Sequence, residues 1–125
     1  MKSREGVLRL KRFQVEEKRR QVAQIETMIA EFDRMAKELN DQVIAEQERS
    51  GIHDAGHFAY PTFAKAATQR RDNLSASERA LKDQLAAAKL ALDEAMGELE
   101  KAEAIAVRDQ ANDKHSGHKV AEAHA

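Results

Sequence analysis

The sequence predicts an all-α fold, a long two-helix antiparallel coiled-coil hairpin with a disordered C-terminal tail, and three observations carry that prediction. Two stretches of apolar heptads flank a break of about ten residues near Gly51. The composition suits long solvated helices: 34% of residues are charged, there is one Pro, and Ala, Glu, Lys, Arg, Leu and Gln dominate. Four Phe, one Tyr and no Trp are too few bulky side chains to fill a globular core, so a narrow seam must serve instead. The predicted organisation is a hairpin over residues 1–108 and a flexible tail over 109–125. Within the hairpin, helix one covers about 4–50, the turn 51–60 and helix two about 61–108.

In the first arm, Leu8, Val15, Val22, Ile29, Ala36 and Val43 recur every seven residues, and Ile25, Phe32 and Leu39 form the companion row. Extending that companion row backward reaches Lys18 and Lys11, so the seam is expected to weaken there. Gly51 after Ser50 supplies a stop, because glycine adopts the left-handed C′ conformation at little cost. In the second arm one row reads Tyr60, Ala67, Leu74, Leu81, Ala88, Ala95 and Ala102, and the other Leu85, Leu92, Leu99 and Ala106. Pro61 suits a first helical turn, where its missing N–H would have no partner. Ser75 and Glu78 have the spacing of a capping box, but the heptad phase continues from Ala67 through Leu81, so the helix is expected to run through them.

The short break lets the arms fold back as antiparallel helices, each ~65 Å long at about 1.5 Å per residue. Pairing about the turn then sets Leu39 near Leu74, Phe32 near Leu81, Ile25 near Ala88 and Val15 near Leu99. Charge agrees with this register. Residues 1–20 hold eight Lys or Arg against three Glu, whereas 78–104 hold seven acids against four bases, and an antiparallel pair lays one beside the other. Beyond Arg108 no apolar period is sustained, which is the basis for the expected tail.

Several function classes are argued against. There is no phosphate-cradling Gly-rich loop, and two helices alone are expected to leave no pocket, so the chain is read as no enzyme, with no small-molecule substrate. The lack of cysteine removes disulfides and thiolate chemistry and suits a reducing compartment, so the expected location is cytoplasmic. No apolar run reaches the ~20 residues of a membrane span. His53 and His57 flank Asp54, and the tail carries His115, His118 and His124. With no fixed third and fourth ligand, no metal or cofactor is assigned. Glu5, Glu16 and Glu17 interrupt the basic arm and no aromatic residues interleave as stacking platforms, which argues against nucleic acid. Leu8, Leu10 and Phe13 among the bases leave contact with an anionic membrane surface open.

The unusual part is the turn, where Phe58, Tyr60 and Phe63 gather most of the aromatic character beside Arg70 and Arg71. Two helices cannot bury all three rings, so at least one is expected to contact a partner. The segments 9–22, Arg-Leu-Lys-Arg-Phe-Gln-Val-Glu-Glu-Lys-Arg-Arg-Gln-Val, and 57–67, His-Phe-Ala-Tyr-Pro-Thr-Phe-Ala-Lys-Ala-Ala, resemble the FliJ family of flagellar export proteins, particularly its alphaproteobacterial branch. The resemblance covers about residues 1–108.

It implies a soluble accessory of the flagellar type III export apparatus, cytoplasmic and peripherally associated with the inner membrane at the flagellar base. The hairpin would insert into the hexameric export ATPase in the manner of a rotary γ subunit. An aromatic Tyr-x-x-Phe segment that opens the second helix would contact the membrane export-gate protein. Here Tyr60 and Phe63 meet that pattern. The same helix face continues through Ala67, Arg70 and Leu74, and export-chaperone binding is a further role in the family. The partner-binding residues implied are thus Phe58, Tyr60, Phe63, Ala67, Arg70, Arg71 and Leu74. A structural coiled-coil spacer or dimerisation module is the alternative that the same heptads allow.

Overall fold

The computed structural model describes the backbone of residues 2–124 and the side chains of residues 3–114. Two helices, α1 (Lys2–Ser50) and α2 (Thr62–His124), pack together as an all-α hairpin. Both elements exist because their sequences hold strong helix formers in an unbroken heptad phase, with Gly51, Gly56 and the single Pro61 interrupting them at the turn. Ser75 and Glu78 lie inside α2 without interrupting it.

The turn follows from local chemistry. Gly51 takes φ +76° and donates its N–H to the Gln47 carbonyl at 2.9 Å, which ends α1 with a left-handed residue. Asp54 Oδ1 accepts the Gly56 N–H at 2.9 Å, and the Asp54 carbonyl accepts His57 N–H at 3.0 Å. A second turn follows, in which the His57 carbonyl accepts the Tyr60 N–H at 3.1 Å. The Pro61 carbonyl then receives the first helical bond of α2, from Lys65 N–H at 3.1 Å. Pro61 therefore stands just ahead of the helix, one position earlier than the sequence predicts.

Two compact units divide the chain, Met1–Gln21 with Ala88–Ala125 and Val22–Ala87. In the second, which contains the turn, the buried residues are Val22, Ala36, Val43, Ala64, Ala67 and Leu81. Phe32, Leu39 and Leu74 are half-buried beside them. One bond crosses between the helices, from Arg71 Nη1 to Asn40 Oδ1 at 2.7 Å, and a second ties the turn to α1, from Gln47 Nε2 to the Tyr60 hydroxyl at 3.0 Å. The Asn40–Arg71 bond lies within two residues of the register expected from pairing Leu39 with Leu74.

The other unit buries Val15, Ala95 and Ala106. Lys11 occupies a seam position and reaches across to Glu98, Nζ to Oε2 2.9 Å, while Arg4 Nη1 contacts Asp113 Oδ2 at 3.5 Å. A lysine at a seam position thus buries its stem and sends its ammonium group to the acidic helix. The backbone of α2 is helical past Arg108, where the sequence predicts the helix to end. Residues 109–114 continue the turn-by-turn geometry because no Pro or Gly stands among them, and Asp113 receives the Arg4 guanidinium. The side chains of residues 115–125, most of the expected tail, lie outside the described residues.

Candidate partner-binding site at the turn

The start of α2 and the turn before it carry the residues singled out for partner contact, and the structure separates them into three groups. Phe58 and Phe63 are 96% and 55% exposed, with the Phe58 ring stacked on His57 at a centroid distance of 4.7 Å. His57 is itself held, since its Nδ1 accepts the Ala59 N–H at 3.0 Å. Arg70 is also on the surface. These three side chains are available to a partner without any change in the hairpin.

Tyr60 and Arg71 form the second group, and both are half-buried and engaged within the unit. The Tyr60 hydroxyl accepts from Gln47, which ties the turn back to α1. Arg71 contacts Asn40 on α1 and also bonds Asp72 Oδ1 through Nε and Nη2, at 3.2 and 3.1 Å. Ala67 and Leu74 make the third group, on the seam, where Ala67 is buried and Leu74 half-buried. A partner meets Ala67 only if the helices part.

On the helices flanking the turn, Ala64, Asn40 and Gln47 have roles that their spacing in the sequence does not mark. Ala64 is fully buried, yet neither predicted row contains it. Stepping the row Leu85, Leu92, Leu99 backward by sevens gives Glu78, Arg71 and Ala64, and the two charged members hide the period. Asn40 and Gln47 were likewise hidden, because their polar side chains act only through partners on the other helix.

Among the described residues no cluster of three or more His, Asp or Glu could hold a metal ion. His53 and His57 lie in the turn rather than one helical turn apart on a helix face. Among the described residues no helix is long and apolar enough to cross a membrane. The expectation that two helices leave no pocket is corrected in the unit of Met1–Gln21 with Ala88–Ala125. A solvent-open groove of about 730 Å³ runs between the helices there, bordered by Val7, Lys11, Ala102, Ile105 and Asp109. Alanine at 102 leaves the space between the helices unfilled, while Val7 and Ile105 stand at its rims.

Ion pairing on the surface is mostly local. Arg19 with Glu16, Arg20 with Glu17, Arg34 with Glu38 and Lys37 with Asp33 all lie three or four residues apart on α1. The hydrogen bond from Lys37 to Asp33, reinforced by their mutual attraction, raises the lysine above its ordinary range. Lys11 holds the Glu98 carboxyl below its ordinary range through their hydrogen bond and charge. In comparisons with known proteins, no protein family, curated protein or solved structure matches the chain.

Proposed function

We propose that the chain is a partner-binding hairpin of a flagellar type III export apparatus, one that engages the hexameric export ATPase and the membrane export-gate protein and catalyses nothing itself. The reading rests on the resemblance of residues 9–22 and 57–67 to the FliJ family. The observation that carries it is the placement of Phe58, Phe63 and Arg70 on the surface of a chain otherwise poor in aromatic residues. Exposed aromatic rings beside an arginine combine large desolvation gain with directional polar contact, the usual make-up of a binding hot spot. Export-chaperone binding and peripheral association with the inner membrane belong to the same reading.

The test uses the double variant Phe58→Ala, Phe63→Ala in the motile host. Both rings are exposed, so helicity and melting temperature should be retained while the motility halo shrinks and co-purification of the gate protein falls. Wild-type swarming by a stably expressed double variant would sink the proposal.

A structural spacer is the second reading, and the bond between Gln47 and Tyr60 favours it, because it gives one aromatic residue a purely internal task. On that reading Tyr60→Ala lowers the melting temperature, and the Phe58, Phe63 double variant behaves as wild type in every assay.

A further inference from the structure

We propose that a second copy of this chain covers the groove between Val7 and Ile105, so that two hairpins pair side by side as an antiparallel four-helix bundle. The imbalance of burial in this unit is the starting point. Among the described residues its seam buries Val15, Ala95 and Ala106, and alanine also stands at 88 and 102. Larger apolar side chains lie outside it: Val7 is 49% exposed, Leu10 53%, Phe13 58% and Ile105 48%. Leu8, Leu92 and Leu99 are half-buried on the seam, and the four exposed side chains lie beyond what a single pair of helices covers.

Val7, Phe13 and Ile105 share one side of the hairpin. The groove at Val7 and Ile105 meets a second groove of about 400 Å³, bordered by Phe13, Ala91 and Ala95, at the common residue Glu98. The result is a strip along α1 and α2 with an apolar floor, a basic wall and an acidic wall.

Charge selects the occupant. In α1, residues 2–20 carry eight bases against three acids, and in α2 residues 93–103 carry five acids against one base. A two-fold axis parallel to the helices lays α1 of each copy over α2 of the other, antiparallel, with basic wall against acidic wall at both contacts. A two-fold axis perpendicular to the helices would set α1 on α1 and α2 on α2, and like charges would oppose it. The surface is therefore self-complementary in one orientation. Heights are kept in that orientation, so Val7 of each copy stands level with Ile105 of its partner.

The absence of cysteine gives a clean test on the full chain. In an equimolar mixture of Val7→Cys and Ile105→Cys, every disulfide joins two molecules. Under mild oxidation the mixture should cross-link well beyond either variant alone, and sedimentation of the wild type should give twice the 14.0 kDa of one chain. Val7→Glu should raise the dissociation constant by about tenfold or more, with helicity retained because Val7 lies off the heptad seam. Added salt should weaken the dimer of the wild type, since the walls are charged. A helical wild-type monomer at all concentrations would overturn the proposal, as would cross-linking strongest in Val7→Cys alone. So would a monomer that binds only anionic vesicles, which would assign the strip to a lipid surface. The proposal does not rest on the export reading, because Val7→Glu leaves Phe58 and Phe63 untouched and the two can fail separately.

Discussion

Gly51 shows how one residue fixes a chain reversal. At φ +76° an L side chain is strained, although no atom lies within 4 Å of where its Cβ would be. Gly51→Ala should therefore cost about 1–2 kcal/mol through backbone conformation alone, read as a lower midpoint in urea, and Gly51→Asn should cost less. Ala64 is the opposite case, a residue defined by lack of room. It is fully buried, so Ala64→Leu should destabilise by roughly 1–3 kcal/mol through overpacking. A variant as stable as wild type would show that the helices can part there freely. The Lys11–Glu98 pair makes a pH prediction. The Glu98 carboxyl titrates below its ordinary 4.5 in the folded chain. Its contribution to stability is fully present above that value and is lost as pH falls through the folded value. Carboxyl NMR titration should find the Glu98 midpoint low in the wild type and returned toward 4.5 in Lys11→Ala.

At the scale of the element, both helices were legible from periodicity, because each seventh apolar residue from Val15 to Val43 and from Ala67 to Ala95 falls on a side chain that the fold buries or half-buries. Legibility failed where polar residues take seam positions. Lys11, Arg71 and Glu78 all keep the phase but break the hydropathy, and their roles depend on what stands opposite: Glu98 for Lys11 and Asn40 for Arg71. The seam of α2 is rich in alanine, so its few large members matter more than their number suggests. Leu81→Ala, at a buried position, should cost about 2–5 kcal/mol, measured by thermal or urea unfolding, whereas Leu90→Ala, 65% exposed, should change stability little. The end of α2 was misplaced because hydropathy alone marks it: residues 109–114 lose the apolar period but retain residues compatible with helix, and Asp113 finds Arg4 on α1.

For the whole molecule, the heptads leave one ambiguity that the fold resolves. The same rows suit a hairpin within one chain or a longer coil between two chains, and the structure is the hairpin, with bonds from Asn40 to Arg71 and from Gln47 to Tyr60. Asn40→Cys with Arg71→Cys should accordingly be joined within the monomer by a short bifunctional maleimide, visible as faster migration on a denaturing gel without a dimer band. The candidate site was only partly readable. The sequence placed aromatic residues and arginines together, but exposure divides them: Phe58, Phe63 and Arg70 face outward, whereas Ala67 is spent on the seam.

The all-α class, the two helices, the stop at Gly51 and the antiparallel charge match were determined by the sequence itself, because periodicity and glycine conformation act over a few residues and need no partner to be read. The tertiary structure alone decided the paired polar groups at seam positions, the full burial of Ala64, the outward rings of Phe58 and Phe63, and the groove between Val7 and Ile105. Each of these depends on how closely two distant segments approach, a distance that no spacing along one strand of residues contains.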